Sequence, residues 1–186
     1  MRRSIIETID QFLFKPMRQF FMAHLRTSMV DPNKLILFIM GLSLLNLLML
    51  ASNTYFINLV GALLLLLLAA LIQAVKNTQN KTPFKITLMV LMSESFVYIG
   101  ALLYNANLGN GLFTLLAAFA LLGLWLQYVL TEQKYCGINI FTLELRYFLV
   151  ALATLLTLNF LYFLVFLVIV YGQIFMHLKS LANDPL

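Results

Sequence analysis

The chain has 186 residues, of which 62% are hydrophobic and only 10% charged, with a mean hydropathy of +0.95. A water-soluble domain of this size has no way to hide so much apolar surface, so a soluble enzyme module is excluded. The net charge of +5 does not point to nucleic acid either. No basic-aromatic interleaving of an RNA-binding kind is present, and bases at the cytoplasmic headgroup level meet anionic lipids instead.

Residues 1–30 read as an amphipathic juxtamembrane segment, and 31–186 as a six-helix transmembrane domain. In the first segment Ile5, Ile9, Phe12, Leu13, Met17, Phe20, Phe21 and Leu25 recur at helical spacing, with Glu7, Lys15, Arg18 and Gln19 between them. Ser4 and Glu7 have the spacing of a capping box, and Pro16 is expected to kink or divide the helix. Such a helix either grips the cytoplasmic leaflet in the interface plane or packs on the bundle; the sequence leaves both open. Pro32 then disfavours helix at Asp31, so the chain turns there before the first span.

Six apolar runs follow: Leu35–Leu50, Phe56–Val75, Ile86–Tyr104, Leu112–Thr131, Phe141–Leu158 and Phe160–Leu178. A spanning helix needs about 20 mostly apolar residues, because the hydrocarbon core is about 30 Å thick. The last two runs are separated at Thr157–Asn159, since as one helix residues 141–176 would be about 54 Å long. The twelve lysines and arginines all fall in one alternating set of segments. The connections Ala51–Tyr55, Asn105–Gly111 and Thr157–Asn159 carry no charge. This alternation is what the positive-inside rule predicts for six spans, with both termini cytoplasmic. The expected fold class is therefore an all-α membrane protein.

Chemistry-bearing residues are few. No HExxH, GxSxG, phosphate loop or CxxC is present. The sole cysteine, Cys136, falls in an expected cytoplasmic loop and reads as incidental. His24 and His177 read as structural. Glu94 stands out in mid-span between Ser93 and Ser95. A carboxylate there costs roughly 2.5–3.5 kcal/mol on insertion scales, so it should face the bundle interior. It reads either as a ligand, proton or cation site, or as a protonated acid hydrogen-bonded to a serine as interhelical glue. Glu144 and Arg146 are two apart near the cytoplasmic end of the fifth run, so they face away from each other on a helix. Arg146 points to a headgroup phosphate or snorkels as an anchor.

The layout resembles the CDP-alcohol phosphatidyltransferases. The shared features are the basic juxtamembrane segment, Pro32-Asn33 before the first span, and a leucine-rich second span ending in a polar loop. Thr82-Pro83-Phe84 opens the third span, and the chain's last helix ends as GQIFMHLK at Gly172–Lys179. The resemblance implies six transmembrane helices after a juxtamembrane helix, and transfer of a phosphatidyl-type group from a CDP-linked donor to an alcohol. In that family four aspartates, from the end of the second span into the third, bind two divalent metals. Here the matching stretch holds Gln73, Lys76, Asn77, Asn80, Lys81, Lys85, Met89 and Ser93, without one aspartate. Glu94 lies one position past the last expected aspartate, and a single carboxylate does not hold two hard cations. The expectation is a fold without the metal chemistry, with no cofactor and no catalytic residue.

Three functions follow. The first is a non-catalytic member of that fold, binding a membrane lipid or anionic headgroup through Lys76, Lys81, Lys85, Glu94 and Arg146, or regulating a partner membrane enzyme or acting as a homodimer. An ordinary positive-inside loop explains the same lysines without a ligand. The second is an active phosphatidyltransferase with an altered site recruiting Glu94 and Glu132. The third is a small transporter using Glu94, although no repeated halves or broken helices are visible.

Overall fold

A computed structural model of the chain describes residues 5–27, 31–78, 83–132 and 143–156, with further positions between 161 and 179. The described residues are helical apart from short turns. The N-terminal segment is α1 (Ile5–Ile9), a π-helical turn (Asp10–Phe14) and α2 (Lys15–Thr27). The apolar part follows as α3 (Pro32–Leu50), α4 (Tyr55–Thr78), α5 (Pro83–Asn107), α6 (Gly111–Glu132) and α7 (Leu143–Leu155). Three of these are long and apolar enough to cross a membrane: α3, α4 and the Lys85–Asn107 part of α5. Gly111–Leu126 of α6 is a shorter apolar stretch. The chain is thus a multi-pass, all-α membrane protein.

Pro16 does not divide the N-terminal helix. Its ring lacks an N–H and crowds the carbonyl four residues back, and the helix answers one turn early by widening. The Lys15 N–H donates to the Asp10 carbonyl, five residues back, which is the π pattern. At the next boundary Asp31 is non-helical, and its side chain caps α3 by accepting the Asn33 N–H at 3.0 Å, with Pro32 in the first helical turn. The turn after α5 closes with the Asn110 N–H on the Asn105 carbonyl and the Gly109 N–H on the Ala106 carbonyl. This pair of hydrogen bonds goes with Gly109 at φ 72°, where a side chain would be strained. The expected capping Ser4 and the turn at Thr157–Asn159 lie outside the described residues.

The order in space differs from the order in sequence. α3 packs against both α4 and α5, α5 against α6, and α4 against α7, whereas α4 and α5 barely touch. α4 packs against α2, α3 and α7, and on it Leu65, Leu68, Ile72 and Val75 are fully buried beside Ala62, Ala69, Ala70 and Ala74. Its leucine run divides by face, with Leu63 and Leu67 outward and Leu65 and Leu68 inward. Lipid tails are as apolar as leucine, so close approach at small residues holds such helices together. Gly100 on α5 shows this, because a Cβ there would stand 3.1 Å from the Leu47 carbonyl and from Leu50 Cβ on α3. Asn46 of α3 adds a polar tie, donating to the Gly61 carbonyl of α4 at 2.6 Å. Beyond α7, the Phe163 ring lies 5.7 Å from that of Tyr98, and the Tyr171 hydroxyl donates to the Phe119 carbonyl at 3.2 Å. Phe163 and Tyr171 therefore lie beside α5 and α6.

Gly100→Leu should destabilise the protein by about 1–3 kcal/mol through overpacking at the α3–α5 contact. Gly41→Ala, with nothing within 4 Å of the new methyl, should leave the melting temperature in detergent unchanged or higher.

Candidate functional site

The bundle has two chemically distinct ends. At one, the uncharged turns 51–54 and 105–111 meet, with the Asn107 amide 3.5 Å from the Ala51 carbonyl. At the other lie the starts of α3, α5 and α7, the end of α4 and the N-terminal helix. Lys85 ties two of these, its ammonium donating to Asn33 Oδ1 at 3.0 Å. Lys76, Lys85, Glu94 and Arg146, the described residues among those considered as site residues, belong to this end or to the half of the bundle beneath it.

Glu94 is buried, with 2% of its surface exposed. Its partner is Arg146 of α7, through Nε to Oε1 at 2.5 Å and Nη2 to Oε2 at 2.9 Å. The serine expected to hold Glu94 is used elsewhere. Ser93 accepts from the Ser43 hydroxyl of α3 at 2.9 Å, while Ser95 turns back to the Leu91 carbonyl of its own helix. Arg146 accordingly does not reach for a headgroup phosphate. Its side chain is only 14% exposed and lies across the carboxylate of α5. The hydrogen bond from Nη2 and the close charge contact of Nε together compensate the buried carboxylate.

Glu144 points the other way, as the two-residue spacing requires. It receives both bonds of the Arg18 Nη1 group, at 2.7 and 2.6 Å. The second arm of Arg18 reaches Asp10 at 3.0 Å. This triad fastens the N-terminal helix to the first turn of α7, and the buried Phe14 ring stands edge-on to Phe148 beside it. Arg18 and Asp10 are not separable from their neighbours by residue type alone. The π turn supplies the missing signal: it acts as one residue inserted in an α-helix, so positions eight apart across it align as if seven apart. That register brings Asp10 under Arg18.

Among the sequence-derived site residues, Glu94 and Arg146 are therefore joined directly. Lys76 stands exposed in the last turn of α4 and Lys85 exposed in the first turn of α5. Lys81 lies outside the described residues, as do Cys136 and His177. Among the described residues no three His, Cys, Asp or Glu side chains gather as a metal-binding group. No family model and no curated protein matches the chain.

Removing one partner of the α5–α7 pair should be costly, because the other charge is left buried. Arg146→Ala should lower stability by about 3–5 kcal/mol, whereas the double change Glu94→Leu with Arg146→Met should recover most of it. Thermal melts of the two variants in detergent test this. A double variant as unstable as the single one would show that the pair is not what the site depends on.

Proposed function

We propose that this is a non-catalytic membrane protein that binds an anionic lipid headgroup at its lysine-bearing end. In this reading the resemblance to the CDP-alcohol phosphatidyltransferases extends to a six-span fold with both termini cytoplasmic, and not to metal-dependent transfer. One observation carries the proposal. The carboxylates Asp10, Glu94 and Glu144 are taken up by Arg18 and Arg146, while Lys34, Lys76 and Lys85 are exposed and meet no carboxylate among the described residues. A phosphate near the ends of α3, α4 and α5 therefore meets positive charge that the protein has not itself neutralised.

The physical need is modest. Each lysine or arginine near an anionic leaflet contributes about 1 kcal/mol, screened over a Debye length. An ammonium is a point charge on a flexible stem, suited to a headgroup phosphate without a fixed geometry. Catalysis of pyrophosphate cleavage demands more, namely oxygen ligands that hold metal ions against the leaving group. The polar stretch that begins at Gln73 has lysine and amide side chains where such ligands would stand.

Two measurements test the proposal. Purified protein should bind a short-chain phosphatidylglycerol more tightly than phosphatidylcholine, and the triple change of Lys34, Lys76 and Lys85 to Ala should weaken it about fivefold per lysine. Equal affinity for both lipids, unaffected by the change, would remove the headgroup reading. Reporter fusions at Asn107 and at the C-terminus should give opposite sidedness; the same side for both would remove the six-span arrangement.

A further inference from the structure

The N-terminal helix has one face too many for a helix that only packs on the bundle. Counting about 100° per residue, α2 divides into three faces roughly 120° apart. Met17, Phe21 and Leu25 form the first and are packed against the core. Lys15, Gln19 and Arg26 form the second and are exposed. Phe20 marks the third and is 59% exposed. Phe12, eight residues earlier and across the π turn, falls on the same ridge as Phe20 and is 76% exposed.

We propose that this third face is an insertion surface for the acyl–headgroup boundary of an anionic leaflet, with Phe12 and Phe20 as the inserted side chains. Depth supports the choice of lipid over water. Arg18 is fixed to Glu144, the second residue of α7, and Phe14 stands edge-on to Phe148, about 6 Å further along that helix at its 1.5 Å rise. The N-terminal helix is thus held beside the opening turns of α7, which in the six-span reading enters the membrane there. At that level an interfacial helix buries its apolar face about 5–10 Å into the boundary. Charge supports an anionic leaflet, because the neighbouring face presents Lys15 and Arg26 without a carboxylate partner among the described residues. Arg18 takes no part in lipid contact, since both its arms are occupied by Asp10 and Glu144. The helix is then a wedge: one face on the protein, one in the acyl boundary, one toward phosphates.

The test uses the full chain in vesicles of phosphatidylcholine and phosphatidylglycerol. In a Cys136→Ser background, which removes the sole cysteine, Phe12→Cys, Phe20→Cys and Gln19→Cys each carry an environment-sensitive fluorophore. All three positions are exposed, and melts of the unlabelled variants confirm a native fold. Brominated acyl chains should quench the labels at 12 and 20 about twofold or more over that at 19, with aqueous iodide giving the reverse order, as interfacial burial requires. Labels at 12 and 20 as open to iodide as that at 19 would overturn the proposal. So would labels shielded from both quenchers, which would mean that a second protein surface covers the face. The result is separable from headgroup binding by the lysines of α3, α4 and α5, since either can fail while the other stands.

Discussion

The opening turns of α7 decide how the rest of the molecule is joined. Two ionisable side chains, Glu144 and Arg146, lie there two residues apart and do not pair with each other. Each must find an opposite charge on a different helix, because an unpaired charge in a low-dielectric bundle costs several kcal/mol. Glu144 takes Arg18 from the N-terminal helix, and Arg146 takes Glu94 from α5. One short segment thereby fixes the position of the element that precedes the spans and of the middle of the third apolar helix. Such pairs add little net stability compared with well-packed apolar residues. A shift of α7 that separated Glu144 from Arg18 and Arg146 from Glu94 would leave these charges without the partners they have here.

The remaining contacts follow the rules of packing among apolar neighbours. α4 sits at the centre because its alanines let α3, α7 and α2 approach closely. The tight contact of Gly100 with the α3 backbone does the same for α5. Hydroxyl and amide groups supply the polar ties between these surfaces, as in Ser43 with Ser93 and Asn46 with the Gly61 carbonyl. Exposed leucines and phenylalanines on α3 and α6, such as Phe38 and Phe119, face the lipid that the high hydropathy demands.

Charge at the lysine-bearing end sorts by side-chain chemistry. Arg18 and Arg146 turn inward, where a planar guanidinium can satisfy a carboxylate; Arg26 and the lysines Lys15, Lys34, Lys76 and Lys85 remain at the surface, where a hydrated charge loses least. The headgroup binding we propose would draw on the lysines, with the inward pairs as the frame that holds them. The π turn before Pro16 belongs to the same frame. By shifting the register of the first helix it places Asp10 against Arg18 and turns Phe12 into line with Phe20.

The local features were legible in the sequence. Runs of apolar residues marked α3, α4, α5 and α6, because backbone polar groups in hydrocarbon must be satisfied within the helix. Asp31-Pro32 marked the start of α3, and the asparagine- and glycine-rich turn before Gly111 marked its own place, because both act through neighbouring backbone. The spacing of Glu144 and Arg146 also showed that they do not pair. Their partners were not legible. Neither was the outward turn of Phe12 and Phe20, which the periodic pattern alone grouped with Phe21 and Leu25, nor the pairing of Glu94 with an arginine rather than a serine. Each of these depends on which helix lies beside which, and α3 standing between α4 and α5 is not a property of any segment. Only the tertiary structure decided them, since buried charges are matched across the space between helices, where proximity along the chain carries no information.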